Sequence, residues 1–132
     1  LAQQAEGLHR SPLGLLIHPE FGLWHAWRGA LLFKVPVQQA MVDLKRSAQA
    51  HPCQDCGDKP CLSACPVTAF TGESFAYQNC QTYLQEAGAK TCMVEGCAAR
   101  NACPIGRDVQ YQKLHIQFHM NAFGPRAVDQ AL

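Results

Sequence analysis

The stretch that decides the fold is residues 51–66, His-Pro-Cys-Gln-Asp-Cys-Gly-Asp-Lys-Pro-Cys-Leu-Ser-Ala-Cys-Pro. It places four cysteines in one short segment: Cys53, Cys56, Cys61 and Cys65. A second group is spaced more widely and, like the first, ends in Cys-Pro: Cys80, Cys92, Cys97 and Cys103. The chain contains eight cysteines, and all of them belong to these two groups. We therefore expect the chemistry of this chain to be thiol chemistry.

Eight thiols in this pattern have three possible uses: disulfides, zinc sites or iron–sulfur clusters. Disulfides belong to oxidising compartments, and nothing in the sequence signals secretion. Structural zinc sites usually pair two separate Cys-x2-Cys knuckles, and only Cys53 and Cys56 form one here. Iron–sulfur clusters fit the spacing best, because one loop can supply three thiolates to a [4Fe–4S] cluster while the fourth comes from elsewhere.

The cysteine before proline indicates where that fourth thiolate comes from. In two-cluster ferredoxins this residue ligates the other cluster. The rule gives a first set for one cluster: Cys53, Cys56, Cys61 and Cys103. It gives a second set for the other cluster: Cys65, Cys80, Cys92 and Cys97. No cysteine is left over, so we expect two [4Fe–4S] clusters as cofactors, with these residues as metal ligands and no catalytic residue.

Length and composition limit the class of protein. A chain of 132 residues is the size of one domain, and 48% apolar residues with 16% charged residues argue against disorder. The net charge of +1 argues against a basic nucleic-acid surface. The longest apolar candidate for a membrane span, Phe21–Phe33, is interrupted by His25 and Arg28. Without a targeting signal, we expect a cytoplasmic location.

The segment before the cysteines is expected to contain a β-hairpin. Leu13–Ile17 and Leu23–Phe33 are short apolar runs bounded by turn residues, and Pro19–Gly22 suits the turn between them. Trp24 and Trp27 are expected to pack in the core. The predicted fold class is thus α+β: a short N-terminal β-hairpin, then a helix- and loop-rich domain of the bacterial ferredoxin type with two [4Fe–4S] clusters.

Three helices are predicted from apolar spacing and from glycine and proline stops. The first carries its apolar face on Val37, Ala40, Met41 and Leu44. The second covers Phe75–Glu86. The third covers Tyr111–Phe123, with Tyr111, Leu114 and Phe118 turned inward. The chain is divided accordingly into an apolar hairpin and connector over 1–52, the cluster domain over 53–110, and a C-terminal helix and tail over 111–132.

The cysteine region resembles the iron–sulfur half of the epoxyqueuosine reductase family, which is related to reductive dehalogenases. The resemblance is carried by the first cysteine group, by the run Cys80-Gln-Thr-Tyr-Leu84, and by residues 16–24, Leu-Ile-His-Pro-Glu-Phe-Gly-Leu-Trp. It covers roughly residues 13–104 and implies the same eight cluster ligands. Family members carry a cobalamin-binding domain before this region. The chain equally resembles small bacterial [4Fe–4S] ferredoxin-like proteins, which share the module without that domain.

These observations lead to two expected functions. The first is an electron-transfer module that passes single electrons between redox partners. The second is the C-terminal iron–sulfur part of a truncated corrinoid-dependent reductase, so whether the chain is an enzyme is left open. The expected partner is a redox protein or a missing N-terminal domain. In the latter case an apolar face or strand edge near Leu13–Ile17 would be exposed and would allow self-association.

Overall fold

The computed structural model describes residues 2–34, 51–86 and 90–123. It is a small mixed α/β protein in which a two-stranded hairpin is followed by short helices. In chain order the elements are α1 (Ala2–Glu6), β1 (His9–Arg10), β2 (Leu16–Ile17), α2 (Pro60–Ser63), α3 (Tyr77–Gln85), α4 (Lys90–Glu95), α5 (Ala98–Asn101), a 3₁₀ turn (Arg107–Val109) and α6 (Lys113–Phe123). The predicted connector helix around residues 37–44 lies outside the described residues.

The hairpin forms, but with a different partner strand from the predicted one. Strand β1 pairs antiparallel with β2, so that His9 is opposite Ile17. The predicted strand Leu23–Phe33 is therefore wrong, since residues 24–33 carry no strand. At its first residue, the Leu23 carbonyl oxygen accepts hydrogen bonds from the side chain of Arg100 in place of a neighbouring strand.

The predicted turn after β2 is confirmed. His18 and Gly22 form an isolated antiparallel bridge around it. Inside the turn, the His18 Nδ1 atom accepts the backbone N–H groups of Glu20 and Phe21, each at 3.1 Å. The imidazole thus accepts two backbone N–H groups that the tight turn leaves without a backbone partner.

The apolar face of the hairpin packs directly on the cysteine region. Leu13, Ile17 and Leu23 are buried in one hydrophobic core with Ala99 and two cysteines, Cys61 and Cys103. The expectation of an exposed apolar face near Leu13–Ile17 is therefore wrong for Leu13 and Ile17, which are 6% and 1% exposed, whereas Leu15 between them is 48% exposed. Within the described residues, β2 pairs with β1 alone. A hairpin this short is marginal alone, and the cysteine region supplies the surface that it needs.

The guanidinium of Arg100 joins the hairpin segment to the C-terminal part. It lies 4.3 Å from the ring centre of Trp24 and 5.1 Å from that of Tyr111, in addition to its bonds to Leu23. Trp24 is buried as expected. The expectation for Trp27 is wrong, because this side chain is 42% exposed and its indole N–H donates to Glu6 at 2.6 Å.

Helices α3 and α6 lie where the apolar spacing predicted them, but α6 presents a different face. Leu114 and Phe118 are 82% and 68% exposed, so their predicted inward orientation is wrong. The inward side of α6 carries Met120, which packs against the core around Leu84 and Cys92. Among the described residues, no helix has the length and apolar character needed to cross a membrane.

Two glycines allow the hairpin turn and the Cys103–Gly106 segment to meet backbone to backbone. Gly22 has φ +56° and Gly106 has φ +72°. A Cβ atom on Gly22 would overlap the carbonyl of Ile105, with its carbon only 2.7 Å away. A Cβ on Gly106 would in turn overlap the carbonyl of Phe21. Only glycine permits this approach together with a left-handed backbone.

We expect Gly22→Ala to lower the free energy of unfolding by about 3 kcal/mol or more, because backbone overlap adds to the left-handed penalty. Gly14→Ala is the matched control: the backbone there has φ +77°, but a Cβ atom at this position would meet nothing within 4 Å. That variant should lose only about 1–2 kcal/mol. Urea unfolding followed by circular dichroism measures both values. Equal losses would show that the Gly22–Gly106 approach contributes nothing.

Candidate metal centres

The four cysteines of the first set line one narrow cavity of about 20 Å³. Cys53, Cys56 and Cys61 reach it from the loop and from α2, and Cys103 reaches it from the segment after α5. The remaining lining residues are mainly apolar side chains and prolines: Pro12, Leu13, Ile17, Leu23, Pro52, Pro60, Pro104 and Ile105. No histidine, aspartate or glutamate of the described residues is among them, so the cysteine thiols are the side chains of this cavity whose chemistry suits metal ligation.

The loop that carries Cys53 is shaped by His51. The backbone N–H of Cys53 donates to His51 Nδ1 at 3.3 Å, and the imidazole stacks on His9 with ring centres 4.7 Å apart. The segment then reaches Lys59, whose left-handed backbone (φ 38°) precedes Pro60 at the start of α2. These contacts turn the chain so that Cys53, Cys56 and Cys61 face one space.

The four cysteines of the second set line a much larger cavity of about 380 Å³. Each comes from a different element: Cys65 follows α2, Cys80 lies in α3, Cys92 lies in α4 and Cys97 caps α5. The Sγ atom of Cys65 accepts the backbone N–H of Ala69 at 3.3 Å. Aromatic and apolar side chains from several elements complete the wall, among them Phe70, Phe75, Leu84 and Met120.

The pKa shifts of the thiols follow the same division into a first and a second set. Burial, with smaller contributions from Cys103 and Cys61, raises the pKa of Cys53 to about 11. Burial, with contributions from Cys97 and Cys65, raises the pKa of Cys80 to about 11. Each thiol is thus influenced by members of its own set. At neutral pH both thiols are protonated in the absence of metal, and a bound cation would have to displace these protons.

Among the described residues, no group of three or more His, Cys, Asp or Glu side chains could hold one metal ion. A tetrahedral zinc site brings four sulfurs to within about 2.3 Å of a common centre. A [4Fe–4S] cluster instead offers a separate iron atom to each thiolate, so its ligands stand further apart. Four thiols line each cavity, and His119 joins them in the wall of the second. Two groups of four thiols match the number of ligands that two such clusters need.

Two residues that line these cavities, Ser11 and Arg100, belong to no sequence motif and were not predicted as site residues. Ser11 lines the first cavity although it precedes the first cysteine group by a long stretch of sequence. Arg100 lines the second cavity. His115 and His119 lie one turn apart on α6, both are exposed, and their Nε2 atoms are 2.9 Å apart. His119 also lines the second cavity.

We expect that, when the metal-free, reduced protein is titrated with base, part of its thiolate absorbance appears only at a pH above the ordinary thiol pKa. The folded-state pKa values of Cys53 and Cys80 exceed the ordinary 9.0, so their neutral thiols favour the folded state below pH 9. This stabilisation is lost as the pH rises towards 11. Cys53→Ser should remove part of the late-titrating absorbance. A single transition near the ordinary thiol pKa would contradict the burial of these groups.

No family model, curated protein or solved structure matches this chain. The resemblance to the epoxyqueuosine reductase family therefore rests on the cysteine spacing and on residues 16–24.

Proposed function

We propose that this protein is an electron-transfer module that binds two [4Fe–4S] clusters and passes single electrons between redox partners. The observation that carries the proposal is the distribution of the thiols. The first set lines one cavity and the second set lines another, with no cysteine shared between them. Two groups of four thiols are what two such clusters require.

The apolar surroundings of both cavities support this assignment. A cluster in a water-poor site exchanges electrons without chemistry at its ligands, and burial and hydrogen bonds to sulfur set its potential. When bound, the clusters supply one-electron chemistry, while the chain holds the thiolates and excludes water. As part of the same proposal, the domain over residues 53–110 is of the bacterial ferredoxin type.

Charge indicates which kind of redox partner would dock. The segment 53–103 contains three basic and five acidic residues, a net charge of −2. Thiolate-bound clusters would add further negative charge. A partner with a basic surface would therefore be attracted to the part of the molecule that holds the clusters, and its association would weaken with added salt.

An exposed apolar segment favours a second candidate, in which the module belongs to a larger corrinoid-dependent reductase resembling epoxyqueuosine reductase. Leu31, Leu32 and Phe33 are 86%, 87% and 67% exposed. A contiguous apolar surface of this kind usually meets another protein surface or domain. Binding of a corrinoid by the intact gene product, tested by its visible absorption spectrum, separates this candidate from a free carrier.

The composition of the anaerobically prepared protein tests the cofactor directly. Two [4Fe–4S] clusters predict about eight iron atoms and about eight acid-labile sulfides per chain. Low-temperature EPR after reduction should show signals of reduced clusters. A preparation with about two zinc ions and no sulfide would instead identify a structural zinc module and would end the electron-transfer proposal.

Single substitutions test how the ligands are divided. Cys65→Ser and Cys92→Ser should damage the same EPR signal, because both thiols line the second cavity. Cys56→Ser and Cys103→Ser should damage the other signal, because both line the first cavity. The surface variant Ser63→Ala serves as the control and should leave both signals intact. Loss of one common signal in Cys65→Ser and Cys56→Ser would refute the division.

A further inference from the structure

The side chain of Ser11 is buried without a partner beside the first cavity. Ser11 is 6% exposed, and within the described residues its Oγ atom has no hydrogen-bond partner. Its backbone is fully engaged, because its N–H donates to Leu15 at 2.7 Å and its carbonyl accepts from Gly14 at 2.9 Å. The hydroxyl is therefore the one polar group of this residue that the described part of the fold does not satisfy.

An unpaired buried hydroxyl is costly. Leaving such a group without a partner costs about 1–3 kcal/mol, and an alanine here would avoid that cost. Serine at this position therefore requires an explanation outside the packing of the hairpin. Ser11 is part of the same wall as the four thiols of the first set. It also borders a polar opening with Gln54 and Glu73, but its Oγ atom bonds to neither of them.

We propose that the Ser11 hydroxyl donates a hydrogen bond to sulfur of the cluster held by the first thiol set. This inference rests on the proposed function. Apart from the thiols, the lining of the first cavity consists of hydrocarbon side chains, prolines and the donor Lys59. Sulfur is thus the acceptor that the side chains of this cavity can offer to a hydroxyl, either as ligating thiolate or as cluster sulfide.

The hydrogen bond would tune the first cluster and leave the second unaffected. Reduction adds negative charge to the cluster sulfurs, so a donor stabilises the reduced state and raises the reduction potential. Ser11 does not line the second cavity, whose own side-chain donors are Tyr83, Arg100 and His119 and where Cys65 accepts the backbone N–H of Ala69. Loss of the Ser11 hydroxyl should therefore change the potential of the first cluster alone.

The test compares Ser11→Ala with Ser63→Ala in the cluster-loaded protein. Ser63 is the matched control: it is exposed on α2, and its hydroxyl already donates to the Pro60 carbonyl at 3.2 Å. In an EPR-monitored redox titration, Ser11→Ala should lower the reduced-to-oxidised ratio of the first cluster several-fold at fixed potential. A tenfold change corresponds to about 59 mV for one electron. The second cluster, and both clusters of Ser63→Ala, should titrate as in the wild type.

Iron and sulfide contents and the stability of the metal-free protein complete the test. Ser11→Thr keeps a hydroxyl and should restore the potential towards the wild-type value. Metal-free Ser11→Ala should be at least as stable as the metal-free wild type, because it removes an unpaired group. If it is less stable, Ser11 is a structural residue and the inference fails. An unchanged potential in fully loaded Ser11→Ala overturns the inference alone, whereas a wild type without iron and sulfide overturns the proposed function as well.

Discussion

The arrangement of both cavities depends on two one-turn helices that pack against each other, α2 and α5. Helix α2 carries Cys61 of the first set and is followed by Cys65 of the second, while α5 lies between Cys97 of the second set and Cys103 of the first. Each short helix therefore delivers one thiol to each cavity. Ala99, which is fully buried, belongs to the hydrophobic core that also contains Cys61 and Cys103. A larger side chain there would force the two cavities apart, because cores have no spare volume.

The N-terminal hairpin forms one side of the first cavity and supplies apolar side chains to its wall. Leu13 and Ile17 form part of the wall, and the contact between Gly22 and Gly106 fixes the hairpin turn against the segment that follows Cys103. Arg100 adds a second connection through Leu23 and Trp24. The second cavity is formed instead by helices and aromatic side chains and is much larger, at about 380 Å³ against about 20 Å³. Two thiol sets of equal number thus lie in unequal environments.

Local patterns predicted those elements whose signals are local, and they failed where a distant residue intervened. The turn before Gly22 and helices α3 and α6 follow from proline, glycine and apolar spacing. The strand expected from Leu23 onward does not form, and the Leu23 carbonyl bonds instead to Arg100, far away in sequence. Similarly, α6 turns Leu114 outward, since the packing of Met120 against the core around Leu84 sets the orientation of this helix.

The sequence by itself determined the donor chemistry and its division, because cysteine type, spacing and the proline after Cys65 and Cys103 are local properties of the chain. The assignment of these residues as cluster ligands stays a prediction. Only the tertiary structure decided what surrounds the thiols. It placed Ser11 in the first cavity and Arg100 beside the second, although neither belongs to a motif. The physical reason is that burial and close contact between distant segments arise from packing, which short-range sequence patterns do not encode.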